Sequence, residues 1–131
     1  MTLIEDIRLR TILDSRGNPT VEAEVFTSSG YGIAAAPSGA STGRFEVKAY
    51  PKGGVEEGIA TFRKAVDRFI GMDAAYQEDV DVLLHEVDGT KDFSRLGGNV
   101  AVAVSLAVAK AAANALAMPL YRYLGGFVEG F

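Results

Sequence analysis

The chain has 131 residues, 48% of them hydrophobic and 23% charged, with a formal net charge of −4, which describes one ordinary globular domain with a sizeable core rather than two domains or a disordered segment. Its lysines and arginines stand singly, which removes the basic stripe of a nucleic-acid binder, and with no cysteine there can be neither disulfides nor thiolate metal sites. The start, Met-Thr-Leu-Ile-Glu-Asp, turns acidic too early for a secretory signal, so a cytoplasmic location is expected.

Residues 4–13 place Ile4, Ile7, Leu9 and Ile12 among charged neighbours and read as an irregular strand. Residues 14–19 are turn chemistry: Gly17 can take positive φ, and Pro19 lacks the N–H that a central ladder position needs. Residues 20–27 alternate strictly, Val21, Ala23 and Val25 against Glu22 and Glu24, giving one buried and one wet face. A Ser28-Ser29-Gly30 turn leads into a third strand over 31–36. Three strands with such short connections predict an antiparallel meander.

Pro37-Ser38-Gly39-Ala40-Ser41-Thr42-Gly43 follows directly. It has almost no side chain to bury, but it offers backbone groups and hydroxyl oxygens to a ligand at low steric cost. Such oxygens suit hard cations such as Mg²⁺, and the glycines suit a loop that opens and closes. A Gly/Ser stretch by itself fits an ordinary surface connection equally well.

Beyond a break at Pro51-Lys52-Gly53-Gly54 the period changes to that of helices. Residues 55–70 set Ile59, Phe62, Val66, Phe69 and Ile70 on one stripe. Residues 76–87 repeat the pattern with Val80, Leu83, Leu84 and Val87, and Asp88-Gly89-Thr90 ends it with Gly89 near the C-cap. A third helix is expected over 99–118 with Asn99 as its N-cap. Only Ser105, Lys110 and Asn114 are clearly polar within 100–118, yet the lysine and the many alanines argue for a buried central helix rather than a membrane span. Residues 120–124 add a further helical turn. The fold class is therefore α+β: a three-stranded antiparallel meander followed by a helical layer.

Most polar residues have a structural reading. The acidic run Glu78, Asp79 and Asp81 suits the first turn of a helix, where the macrodipole favours negative charge, better than a cation site. His85, the single histidine, falls mid-helix and cannot build a Ser–His–Asp arrangement. Lys110 and Asn114, one turn apart, form a polar edge on an apolar helix. Arg16 and Asn18 belong to the turn before the second strand, where an arginine's five donors tie carbonyls.

Three segments carry more than local structure. Asp14-Ser15-Arg16-Gly17-Asn18-Pro19-Thr20-Val21-Glu22, the loop Ser38-Gly39-Ala40-Ser41-Thr42-Gly43, and Leu96-Gly97-Gly98-Asn99 with the helix running through Ala113 occur in this order. With Gln77, Asp81, Leu84, Asp88-Gly89-Thr90 and Met118-Pro119-Leu120-Tyr121, this set resembles the N-terminal domain of enolase (phosphopyruvate hydratase) over about residues 4–126. After Gly43 the chain departs from the usual pattern: Arg44-Phe45-Glu46-Val47-Lys48-Ala49-Tyr50 stands where enolases carry a His-Glu pair, an acid and Arg-Asp, and only Glu46 matches.

The resemblance implies a domain spanning residues 1–131 that caps a C-terminal barrel absent from this chain. In the full-length enzyme the reaction is the reversible dehydration of 2-phosphoglycerate to phosphoenolpyruvate with two Mg²⁺ ions. Ser38, Gly39, Ala40 and Ser41 become the substrate lid, with Ser41 a ligand of the second Mg²⁺. The catalytic base and acid lie in the barrel, so no catalytic residue is expected here and the fragment alone should be inactive. Arg10 and Glu22 match positions at a subunit interface, in an assembly that is a dimer or octamer when full-length. The resemblance also implies a cytoplasmic protein (some similar ones also occur at the cell surface) with no nucleic-acid or membrane partner. A domain that sits on a barrel should also show an apolar or mixed patch near the lid and the tail from Tyr121 to Phe131. The alternative is a stand-alone binding or assembly module without enzymatic activity.

Overall fold

The computed structural model describes residues 1–36 and 48–127, the last three of these as backbone only. Three strands come first: β1 (Ile4–Leu13), β2 (Pro19–Thr27) and β3 (Tyr31–Ala35), antiparallel throughout in the order β1-β2-β3. Four helices follow: α1 (Val55–Ala65), α2 (Gln77–Asp88), α3 (Gly98–Ala115) and α4 (Leu120–Phe127). The meander and helical layer predicted from the sequence are both present.

The sheet's inner face follows from its alternation. Val21, Ala23 and Val25 of β2 are fully buried, while Glu22, Glu24 and Phe26 point outward. The irregular spacing of β1 has a specific cause. The pairing with β2 shifts between Ile4 and Asp6, and this one-residue irregularity lets Ile4 and Ile7, three apart, both reach the core. Pro19 occupies the first position of β2, opposite Leu13, where a missing N–H costs least, and Gly17 turns the chain at φ 81°.

Helix α3 is the axis of the fold. Its alanines at 103, 107, 111 and 112 are fully buried, and it packs on both β2 and β3. The contact with β3 is backbone against backbone: a Cβ on Gly32 would lie 2.2 Å from the Ala107 carbonyl oxygen, and one on Gly30 would lie 2.4 Å from that of Ala111. Small residues on both partners therefore let a strand lie directly on a helix. On the same helix Lys110 Nζ donates to the Ile33 carbonyl at 3.1 Å and Asn114 Nδ2 donates to that of Tyr31. The polar edge of the helix thus serves the outer strand. Among the described residues α3 is the one helix long and apolar enough to cross a membrane, and with 67% of it buried in the fold it is a core helix.

Two helix boundaries differ from expectation. The first helix was expected to reach Ile70, but α1 ends at Ala65 and tightens into a 3-10 turn over Val66–Arg68. The chain must turn there because Gly71 N–H donates to Ile4 and Ile4 N–H donates to Met72, so residues 71–72 join the start of β1. Phe69 stays fully buried as a result, while Ile70 swings outward. At the start of α3, Gly97 with φ 89° is the N-cap rather than Asn99, which sits within the first turn with its side chain buried. Gly89 does cap α2, with φ 72° and its N–H donating to the His85 carbonyl at 2.9 Å.

Candidate functional site

Ser38, Gly39, Ala40 and Ser41 lie outside the described residues. What the structure does describe is the frame from which they depart. The chain leaves it at Ala36 and returns at Lys48, and both ends are held by backbone hydrogen bonds. Ala36 N–H donates to Val21 at 3.0 Å, and Lys48 N–H donates to Asp92 at 2.7 Å. The carbonyls of Lys48 and Ala49 accept from the N–H groups of Gly98 and Asn99, the first residues of α3.

Side chains join the two ends. Asn99 Nδ2 donates to the Tyr50 hydroxyl at 3.0 Å, Tyr50 donates to Thr20 Oγ1 at 2.8 Å, and Thr20 donates to the Ala36 carbonyl at 3.0 Å. The direction is fixed by chemistry. A carbonyl only accepts, so with the one Thr20 proton given to Ala36, Tyr50 donates its own proton to Thr20, the Pro19 carbonyl being a second and longer acceptor at 3.4 Å, and Asn99 supplies the hydrogen bond that Tyr50 accepts. Thr20 and Asn99 are both buried and Tyr50 half-buried, so water competes little for these bonds. The sequence missed this chain because its members are 30 and 49 residues apart.

Asp88 is a second buried polar centre that the sequence shows only as a helix stop. Its Oδ1 accepts from the N–H groups of Leu96 and Arg95 at 2.8 and 3.0 Å, and its Oδ2 from the Thr90 N–H at 2.8 Å and from the Thr90 hydroxyl. Burial acts to raise its pKa, but the Thr90 hydroxyl and the N–H groups of Leu96, Thr90 and Arg95 outweigh it and hold the carboxyl below its ordinary range. The carboxylate thereby folds residues 89–96 into the turn that delivers Gly97 to the start of α3. The turn also places Phe93 at φ 57°, its ring 4.6 Å from that of exposed His85.

Arg10 and Glu22 are brought together on the outer sheet face. They are direct cross-strand partners, Arg10 Nε donating to Glu22 Oε1 at 2.6 Å. That hydrogen bond, with the charge of Glu22, raises the pKa of Arg10. Glu22 was expected to be a solvated face residue. Its side chain is instead only 17% exposed, because the far more open Arg10 side chain lies across it. Beside them Tyr31 donates its hydroxyl to Glu24, which raises the tyrosine pKa, and the Arg8 guanidinium lies 5.1 Å above the Phe26 ring.

No group of three His, Cys, Asp or Glu side chains that could hold a metal exists among the described residues. The acids that might have served are already engaged: Asp81 accepts from Ser105 Oγ at 2.7 Å, Asp73 accepts from Thr2 Oγ1 at 2.6 Å, and Asp88 is saturated as described. The described carboxylates therefore do not fit a Mg²⁺ centre. Arg16 and Asn18 offer their backbone N–H groups to Asp14 Oδ1, at 2.8 and 2.9 Å, which is turn chemistry, but Arg16 is exposed and the expected tie from its guanidinium to carbonyls is not what holds the turn among the described residues.

The arrangement is a base with two clamped chain ends and, among the described residues, no acid–base pair brought together, which suits a domain that contributes part of a site. Comparison with known proteins agrees with that shape. The family model for the N-terminal domain of enolase matches residues 4–124. An enolase from Methanothermobacter thermautotrophicus is 59% identical over 126 residues, covering 95% of this chain and 30% of that protein. Those of Methanosphaera stadtmanae and Haloarcula marismortui are 55% and 56% identical, covering 97% and 99% of this chain but 31% and 32% of their own lengths. The chain thus spans about three tenths of the length of the curated relatives it matches, and it belongs to the family of enolase N-terminal domains.

Proposed function

We propose that this chain is the capping domain, residues 1–131, of an enzyme that reversibly dehydrates 2-phosphoglycerate to phosphoenolpyruvate. The observation that carries the reading is the family match over residues 4–124 in a chain covering only the first third of its enolase relatives. In this reading Ser38, Gly39, Ala40 and Ser41 close over the substrate, and an oxygen of Ser41 serves as one ligand of a Mg²⁺. When bound, such a cation stabilises negative charge developing beside the substrate carboxylate. In this reading the base, the acid and the remaining ligands come from the C-terminal part.

The chain's surface supports a partner. Leu116, Tyr121 and Leu124, near the end of the described chain, are 46%, 76% and 38% exposed. Exposed apolar side chains near the end of the described chain fit docking against a further domain. Arg10 and Glu22 are proposed to meet a second subunit of the same cytoplasmic enzyme, in a dimer or a larger assembly. Their pairing leaves Arg10 open to one more acidic partner.

The test is phosphoenolpyruvate formation from 2-phosphoglycerate and Mg²⁺ by this chain alone and with the C-terminal part of the Methanothermobacter relative. Activity is expected only from the combination. Turnover by the chain alone, free of host enolase, would overturn the assignment of the chemistry to the missing part.

A further inference from the structure

We infer that Tyr50 is a positioning residue whose hydroxyl couples the two chain ends that flank residues 37–47. Its role in catalysis rests on the enolase reading; its role in coupling the ends does not.

The argument is one of connectivity. Ala36 at the end of β3 and Lys48 ahead of α1 belong to different elements, and each has its own backbone anchor, Val21 for the first and Asp92 for the second. The run from Asn99 through Tyr50 and Thr20 to the Ala36 carbonyl connects those anchors by side chains. Tyr50 and Thr20 are both two-way members, each accepting on one side and donating on the other, and Tyr50 is the one that reaches across to Asn99. Phenylalanine would keep the ring and its packing while breaking both bonds and the longer one to the Pro19 carbonyl, leaving a buried Asn99 N–H and the Thr20 oxygen each without the tyrosine hydroxyl. Each end would then be held by its own backbone bonds alone, Ala36 to Val21 and residues 48–49 to Asp92, Gly98 and Asn99, and the distance between the ends would fluctuate. Residues that must meet a substrate to within a fraction of an ångström lose rate when their supports loosen in this way.

Two measurements test this. The first is native-state amide exchange on the chain itself, comparing wild type with Tyr50→Phe. Exchange at Ala36 and at Gly98 and Asn99 should rise together, by roughly tenfold, the effect of losing a net hydrogen bond of about 1.4 kcal/mol. The amides of Phe69 and Gly89, held elsewhere in the fold, should not change. Thr20→Val should reproduce the rise at Ala36, and Thr20→Ser, which keeps the hydroxyl, should restore the wild-type pattern. A rise at one end only, or an equal rise at Phe69 and Gly89, would overturn the coupling. The second is turnover in the combination with the C-terminal part, where Tyr50→Phe should lower kcat/KM by about 3- to 10-fold with Thr20→Ser near wild type. Unchanged kcat/KM with raised exchange at both ends would overturn the positioning role while leaving the enolase reading intact. If the wild-type combination is itself inactive, the enolase reading fails, and the exchange result alone decides whether Tyr50 couples the ends.

Discussion

Gly32 of β3 and Ala107 of α3 meet backbone to backbone, so closely that a single added methyl on Gly32 would fall 2.2 Å from the Ala107 carbonyl oxygen. Neither partner can yield, because one is a sheet strand and the other a buried helix. Gly32→Ala should therefore destabilise the chain by about 3 kcal/mol or prevent folding, at the upper end of overpacking costs. Gly17→Ala meets only a backbone penalty at φ 81° in open space and should cost about 1 kcal/mol. Denaturant midpoints of the two variants separate these cases; equal costs would remove the close approach as the reason for glycine at 32.

Asp88 gives the fold a pH dependence of defined sign. Its carboxyl is held below the ordinary range in the folded chain, so on acidification the unfolded chain takes up the proton first. The stabilisation is fully present above the unfolded value of about 3.9 and is lost as pH falls through the lower folded value. Asp88→Asn should cost about 1–3 kcal/mol at pH 7, since one acceptor becomes a donor facing N–H groups. The gap between wild type and variant should narrow as pH falls below 4, followed by urea unfolding at a series of pH values. A constant gap would mean that the charge contributes nothing.

Ala117, just past the end of α3, holds φ 55° without being glycine and is exposed to solvent. Ala117→Gly removes the left-handed strain without losing packing and should raise stability by about 0.5–1 kcal/mol. Thermal unfolding would register this as an upward shift of a few degrees. A lower melting temperature would show that the freedom gained by the unfolded chain outweighs the relief.

Ser41→Ala bears on the proposed activity. In the combination with the C-terminal part it should reduce turnover by at least the roughly 10- to 100-fold seen when a metal's outer hydrogen-bond partners are removed. The loss should lessen as Mg²⁺ is raised if the oxygen binds the cation. Full activity across a Mg²⁺ titration would dismiss Ser41 as a ligand.

Arg10→Gln and Glu22→Gln should each weaken self-association of the combined protein, seen as a shift toward monomer in sedimentation at falling concentration. Folding of the single chain should hardly respond, since the Arg10 end of the pair is open to solvent and such ion pairs contribute little to stability. Unaltered association in both variants would place the subunit contact elsewhere.

The fold was readable wherever a local period decides burial. Val21, Ala23 and Val25 alternate because they line the core, and Gly89 ends α2 because the next backbone step needs positive φ. Readability failed where a distant partner decides. Asn99 has the chemistry of an N-cap, yet Gly97 takes that position and Asn99 turns inward to a tyrosine 49 residues away. The first helix carries an unbroken apolar stripe to Ile70, yet pairing of residues 71–72 with Ile4 ends it early. Gly30 and Gly32 look like a turn glycine and a weak strand residue until the helix beneath them is known. The serines of the candidate site were legible only through resemblance, since no local rule separates Ser38 and Ser41 from an ordinary surface loop. The described frame shows how the chain on either side is held.

The bonds from Lys110 and Asn114 to the carbonyls of Ile33 and Tyr31 have a consequence for the behaviour of the protein in a crowded solution. A strand at the rim of a sheet ordinarily presents a row of unsatisfied acceptors, a template on which a foreign strand can zip and seed fibres. Here two of those acceptors are already occupied by the chain's own helix, one of them by a lysine whose charge repels an approaching backbone N–H. Five residues is also a short rim on which to begin. The two polar interruptions in an otherwise oily helix thus act as a guard against strand-by-strand aggregation at the β3 rim, leaving β1 as the rim on which a foreign strand would have to begin.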